Sequence, residues 1–292
     1  MFYRRKILLA LIQLLGGEVE KMRLQKLLFL YCQKKNNPEY DFIPYRFGCY
    51  SYSAKADLST MVKKGVLTET EKSYIKKDNI DYRENLKDCD FDLLEEVITN
   101  YGNLNNSALI SHTYINYPFF AINSTILKDV VNSTNFEKVQ QAIPKENQTI
   151  LFTIGYEGIS LEKYLEKLVR NNIKLLVDVR KNALSMKFGF SKTLLSRYCA
   201  SLNINYIHVP ELGIESNKRK NLKSEEDYAQ LFEDYKNTTL RTKIESQKYI
   251  IKLLKNNRRI ALTCFEAEHS QCHRSHLANS IANFENLKVI HI

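Results

Sequence analysis

The 292-residue chain has no tryptophan, only five prolines and nine glycines, and neither an internal repeat nor a low-complexity tract. Its hydrophobic content of 44% matches that of packed globular proteins, so a fibrous chain or one disordered throughout is excluded. Nowhere do apolar residues run unbroken for the roughly 18–20 positions that a bilayer span needs. The longest early run, residues 7–15, is interrupted by Gln13. No membrane partner is expected. Six cysteines, Cys32, Cys49, Cys89, Cys199, Cys264 and Cys272, are too few and too scattered for a disulfide scaffold in a chain this long. That points to a reducing, cytoplasmic setting.

Charge is present in excess, and unevenly. The formal net charge is +10; residues 1–65 hold 12 basic against 5 acidic side chains, residues 66–148 hold 8 against 13, and residues 149–292 hold 23 against 15. Two basic blocks therefore flank an acidic one. Such blocks raise affinity for polyanions without conferring sequence preference, although a lysine-rich solvated surface accounts for the same count. The basic start followed by residues 7–15 imitates a secretory leader, but Gly16-Gly17 leads into Glu18-Val19-Glu20-Lys21 instead of a small-residue cleavage site. The stretch reads as a first helix.

Apolar spacing predicts helices over residues 4–15, 21–33 and 53–64, with Gly65 closing the last and Val66-Leu67-Thr68 opening a strand. Three short helices followed by a strand or hairpin form a winged-helix-like pattern over residues 1–80. In it the third helix would enter a major groove and expose Lys55, Lys63 and Lys64 to phosphates. Residues 81–148 read as a helical connector, with helices near 93–101 and 104–116. There the aromatic run His112 to Phe120 would staple one domain to the other. From residue 149 the rhythm becomes strand and helix in alternation. Strands are expected at 150–154, 173–179, 205–209, 259–264 and 287–292, and helices at 160–170, 191–202, 224–255 with a break near Asn237-Thr238, and 272–284. Helices of that length between apolar strands imply parallel crossovers. Residues 149–292 are therefore expected to form a Rossmann-like α/β domain, an open, mainly parallel sheet with helices on both faces.

In such a sheet the ligand sits beyond the carboxyl ends of the strands. Polar residues gather there: Gly155, Tyr156, Glu157 and Gly158 after the first strand, Asp178 and Arg180 after the second, His208 and Glu211 after the third, Cys264 and Glu266 after the fourth, and Cys272, His273 and Arg274 at the last helix. The glycine loop lacks the spacing of a dinucleotide fingerprint, and Glu157 would repel a pyrophosphate. Asp178 and Arg180 flank Val179, so alternation aims both at one face. They either pair with each other or act separately, as an acid–base group and an anion holder. Cys272 at a helix start beside His273 and Arg274 is a candidate nucleophile with a lowered pKa; a buried small hydrophobe is the plainer alternative. A spacing of seven residues between Cys264 and Cys272 fits no common zinc pattern, where ligands stand two to four apart, so no metal is expected, and no cofactor can be named.

These motifs carry a resemblance. TIGYEG, LLVDVR, GFSK, HVPELG and CFE with CHR behind it occur in order over residues 152–274, and together they look like the bacterial family called domain of unknown function 488. The resemblance implies an α/β fold and a shared polar site at Gly155, Tyr156, Gly158, Asp178, Arg180, Phe190, Ser191, Lys192, Pro210, Glu211, Leu212, Gly213, Cys264, Glu266, Cys272, His273 and Arg274, without an established reaction. The basic run Lys218-Arg219-Lys220 in the expected lid loop departs from that pattern and favours a polyanionic ligand. Separately, LQKLLFLYCQ and the later YRFGCYS, followed by a helix ending in KKG, resemble the antitoxin-type Panacea and SocA domains.

The reading that follows is an enzyme acting on a nucleotide or nucleic acid that the winged-helix-like domain recruits. Asp178, Glu266, Cys272 and His273 are the expected catalytic groups; Gly155, Tyr156, Gly158, Arg180, Lys192, Glu211, Cys264 and Arg274 are the expected anion or ligand holders. The rival is a non-enzymatic DNA-binding regulator or antitoxin-like protein sensing a small anionic ligand, with a protein partner or a second copy of the chain.

Overall fold

A computed structural model describes every residue except Lys220, Asn221 and Lys223; of the remainder, the side chains of Ser216 and Arg219 are also outside the description. The chain divides into two compact units, Met1–Ile143 and Pro144–Ile292. Among the described residues, no helix is long and apolar enough to cross a membrane.

The first unit begins with α1 (Tyr3–Leu14), β1 (Glu18–Glu20) and α2 (Lys21–Gln33), followed by the hairpin of β2 (Ile43–Tyr45) and β3 (Gly48–Tyr50). After α3 (Tyr52–Lys63) come β4 (Leu67–Glu69) and β5 (Ser73–Lys76), which join β1 in an antiparallel sheet of order β1-β5-β4. The stripes of α1 and α2 meet as expected from their spacing: Ile7, Leu8, Leu11, Leu24, Leu27 and Leu28 share one buried core. Ser51 caps α3 by accepting from the Ala54 N–H.

The segment read as a connector belongs to this unit. Its helices α4 (Asp88–Tyr101), α5 (Asn106–Asn116), α6 (Leu127–Val130) and α7 (Ser133–Ala142) are not a tether. Leu94, Val97 and Leu109 lie in the same core as α1 and α2. The aromatic run, expected to staple domains, packs within this unit: the Tyr117 and Phe120 rings lie edge-on against Phe29 of α2, at centroid distances of 4.9 and 4.8 Å. The acidic, polar composition that suggested a linker describes the solvated faces of amphipathic helices.

The second unit is an α/β domain built on a five-stranded, all-parallel sheet. Its elements are β6 (Ile150–Gly155), α8 (Leu161–Arg170), β7 (Leu175–Asp178), α9 (Lys192–Ala200), β8 (Asn205–His208), α10 (Glu225–Tyr235), α11 (Ile244–Asn257), β9 (Arg259–Cys264), α12 (His273–Glu285) and β10 (Val289–His291). The anticipated break after α10 is a π-helical turn at Lys236–Leu240. Alternation sorts the strand residues: Leu151, Val177, Ile260 and Leu262 share a core with residues of α10, α11 and α12. On the other face the Tyr164 hydroxyl of α8 donates to Thr263 at 2.8 Å.

The strand order β10-β6-β9-β7-β8 locates the site. The crossover from β6 runs towards β7, whereas the crossover from the adjacent β9 runs the opposite way, to β10. Between two such strands the helices leave in opposite directions and open a crevice at their carboxyl ends. The register pairs Gly155 with Cys264 at that point.

Because Leu262 is fully buried between sheet and helices, Leu262→Ala is expected to lower the unfolding free energy by about 2–5 kcal/mol through lost transfer energy and a residual cavity, read from urea unfolding followed by circular dichroism.

Candidate functional site

A cleft of about 400 Å³ opens at this crevice, and Tyr156, Arg180, Cys264, Glu266 and His273 all line it. Loops that follow β6, β7 and β9 thus converge as the strand-end argument anticipates. Lys181, Asn182, Leu184, Ser185, Ile214 and Phe265 complete the wall; these were not singled out from the sequence. For all but Ile214 the signal was proximity in sequence to Arg180 or Glu266, which names a neighbourhood but not a side-chain direction.

Gly155 and Gly158 shape the loop without offering a phosphate cradle. A Cβ on Gly155 would lie 1.8 Å from the Glu266 carbonyl oxygen, so only glycine lets the two strand ends approach this closely. The N–H groups of Tyr156 and Glu157 both donate to the Phe265 carbonyl, at 3.1 and 2.9 Å. Gly158 makes the turn with φ of +75°. Ser160 caps α8 as expected, its side chain accepting from the Lys163 N–H. Glu157 accepts from the Ala267 N–H at 3.0 Å, tying the first loop to the fourth.

Asp178 is not an acid–base group facing a substrate. It is fully buried, and its carboxylate accepts from the Arg180 Nε at 2.8 Å, an Arg180 terminal nitrogen at 2.5 Å and the Tyr206 hydroxyl at 2.6 Å. Burial works against the Arg180 charge, yet the hydrogen bonds and charge of Asp178 more than offset it and raise its pKa. Burial beside Asp178 likewise pushes the Tyr206 phenol up. Of the two readings left open, pairing wins because i and i+2 in an extended segment share a face with no water between them. Arg180 still borders the cleft, but its other terminal nitrogen donates to the Tyr156 hydroxyl and the Phe190 carbonyl, at 2.8 and 2.9 Å. It fixes Tyr156, which stacks on Phe190 at 4.2 Å.

Arg274 is not an anion holder. Only 1% exposed, its terminal nitrogens donate to the carbonyls of Glu266 and Ala267, at 2.6 and 3.0 Å. It clamps the loop between β9 and α12. Lys192, exposed at the start of α9, lines no described cavity. Glu211 and Lys218 border a neighbouring cavity of about 470 Å³ that shares Lys181 with the first. Glu211 accepts from the Ser246 hydroxyl, and Lys218 is ion-paired with Asp234 at 2.9 Å. Lys220 and the Arg219 side chain lie outside the described residues. In the first unit, Lys63 and Lys64 are exposed at the end of α3. Lys55 is instead held by Glu69 at 2.7 Å and the Tyr74 hydroxyl at 2.6 Å; hydrogen bonds from Lys21 and Lys55 hold the Glu69 carboxyl below its ordinary value.

Cys272 stands at the N-cap position of α12 without a side-chain cap, and its surroundings disfavour the thiolate. Burial, followed by its contacts with Cys264 and the charge of Glu266, pushes its pKa well up, against the smaller opposing pull of Arg274. The helix terminus loses to desolvation because the sulfur is fully buried. Its Sγ lies 2.9 Å from the Glu266 carboxylate. The His273 Nδ1 lies 3.6 Å from the Cys264 Sγ and 3.9 Å from the Cys272 Sγ, while its Nε2 lies 3.1 Å from the Val179 carbonyl oxygen. A carbonyl only accepts, so Nε2 carries the proton and Nδ1 presents a lone pair to the sulfurs.

The order of motifs has a counterpart among known families: residues 160–281 match the model described as Domain of unknown function DUF488. Over these residues the chain is similar to that family. The GFSK, HVPELG, CFE and CHR motifs fall inside the DUF488 match, whereas the GYEG loop precedes it. No curated protein and no solved structure matches the chain.

Asp178→Ala leaves the Arg180 charge buried without its partner and is expected to destabilise the second unit by about 3–5 kcal/mol, measured by chemical unfolding. Five of the six cysteines are buried and Cys89 is exposed. A thiol reagent at neutral pH should therefore label Cys89 rapidly and Cys272 only on unfolding, as read by mass spectrometry of peptides.

Proposed function

We propose that the chain is an enzyme acting on a nucleotide or nucleic acid, with the cleft of the α/β unit as its reaction site and the first unit recruiting the substrate. The observation that carries this reading is the meeting of a carboxylate, a thiol and an imidazole beside an exposed cation and an exposed ring in one cleft, with a second thiol, Cys272, buried behind its wall. Glu266 is the acid–base group, since Asp178 is committed to Arg180. Lys181 is exposed and lines the cleft, where an ammonium attracts a phosphate. The Phe265 ring, 44% exposed, offers a face on which a base stacks regardless of sequence.

The helix and strand succession of the first unit supports the winged-helix reading: α1, β1, α2, α3 and the β4–β5 pair, with β5 central between β1 and β4. In that reading α3 faces the nucleic acid. Lys63 and Lys64 supply its phosphate contacts, while Lys55, bound to Glu69, drops out of the group. Excess positive charge in residues 1–65 supports the same role.

The test pairs binding with turnover. Labelled single- and double-stranded oligonucleotides and mononucleotides are screened by fluorescence anisotropy at two salt concentrations, and bound species are followed for conversion by mass spectrometry. Glu266→Gln is expected to keep binding and lose turnover by about 10²–10⁴-fold, and Lys181→Ala to weaken binding while reducing its salt dependence by about one phosphate contact. Binding without turnover by the native chain would make it a sensor and not an enzyme. Absence of any binding at low salt would sink the nucleotide reading altogether.

A further inference from the structure

The geometry points to a transition-metal site of the zinc class formed by Cys264, Cys272 and His273, with its fourth position facing the cleft beside Glu266. Their ligand atoms, two sulfurs and Nδ1, all lie within 4.8 Å of one another. A tetrahedral zinc ion with Zn–S about 2.3 Å and Zn–N about 2.0–2.1 Å places its S···N edges at about 3.6 Å. The two S···N distances here are 3.6 and 3.9 Å, so both S···N edges match those of such an ion to within a few tenths of an ångström. Donors of this softness, two thiolates and an imidazole, suit zinc ahead of magnesium or calcium.

The surroundings are those of a built ligand set. His273 donates from Nε2 to the Val179 carbonyl, the outer bond that fixes the tautomer and ring orientation of a metal-bound imidazole. Residues 265–271 are folded back so that Cys264 and Cys272 meet despite their separation in sequence. Arg274 holds the Glu266 and Ala267 carbonyls, the Glu157 carboxylate accepts the Ala267 N–H, and the Cys272 N–H reaches the His269 carbonyl at 3.2 Å. All three ligand residues are buried, while Cys264 and His273 also border the cleft. A structural zinc site closes all four positions with protein ligands, whereas a catalytic one keeps a position for water or substrate. Three ligands at a cleft wall give the second pattern. On binding, both thiols surrender their protons to solvent and the ion takes two sulfur–metal bonds and one nitrogen–metal bond. The Glu266 carboxylate, within reach of the Cys272 sulfur, then stands beside the fourth position to accept a proton from a water held there. The ion site is argued from ligand geometry alone and does not depend on the substrate proposed above.

The test uses the full chain without an affinity tag rich in histidine, purified under reducing conditions. Elemental analysis is expected to find about one zinc ion per chain. Protein stripped with a chelator and reloaded with Co²⁺ is expected to show thiolate-to-cobalt charge-transfer absorption and the intense visible bands of a tetrahedral ion. Cys264→Ser, Cys272→Ser and His273→Ala should each weaken the ion by more than the roughly 10–100-fold that loss of an outer partner costs, while Cys89→Ser and Cys199→Ser retain it. Should the ligand variants fail to fold, the cobalt spectrum of the native chain still decides. Absence of both zinc and a cobalt spectrum would overturn the site. So would a Cys264–Cys272 disulfide, seen as two thiols missing from a denatured, unreduced sample. None of these readouts needs a substrate, so failure of the nucleotide reading and failure of the ion site are separately visible.

Discussion

Parallel pairing of β6 with β9 is the constraint on which the rest of the second unit depends. These adjacent strands send their crossovers in opposite directions, so their carboxyl ends stand at an opening that no helix covers. The pairing sets Gly155 opposite Cys264, and the missing Cβ of Gly155 lets the Glu266 backbone lie against it. Every group in the cleft is positioned from that contact: Tyr156 one residue beyond the first strand, Phe265 and Glu266 beyond the second, and the start of α12 where the returning loop ends.

Around that contact the charged residues divide into two trades. Asp178, Arg180, Glu157 and Arg274 are spent on structure. Two of them form a buried ion pair, and the other two fasten loops through backbone amides and carbonyls. A buried ion pair is weak evidence for net stability but strong evidence for fixed geometry, because removing either partner leaves an uncompensated charge. What this frame holds in place is a smaller set: Glu266, the two thiols and the His273 imidazole, with Lys181 and Phe265 at the opening. The chemistry proposed for the protein is carried by that remainder.

Much of the architecture was readable from the residues alone. The strands at β6 and β9 and the helix α2 follow directly from apolar runs and 3.6-residue stripes, since those patterns have no other way to bury their surface. The convergence of the GYEG, DVR, CFE and CHR segments was legible for the same reason, because a parallel sheet places all its strand ends on one rim. Roles at that rim were not legible. Asp178 with Arg180 reads equally well as a catalytic acid beside an anion holder, and only the proximity of Tyr206, 26 residues past Arg180, shows a carboxylate with its lone pairs taken. Lys55 looked like a phosphate contact until β4 brought Glu69 to it. The acidic stretch after residue 80 looked like a connector because periodicity does not say which partner a helix face will find.

Sequence by itself determined the element types, the parallel sheet and the side of that sheet where chemistry would gather, because hydrophobic period and crossover length act locally and allow few alternatives. Tertiary structure alone decided which polar groups neutralise one another and which face the cleft. Desolvation, charge pairing and ligand geometry depend on distances between residues far apart in the chain. Cys264 and His273, nine positions apart yet 3.6 Å from sulfur to nitrogen, are the clearest case: spacing argued against a shared site, and the folded loop between them made one.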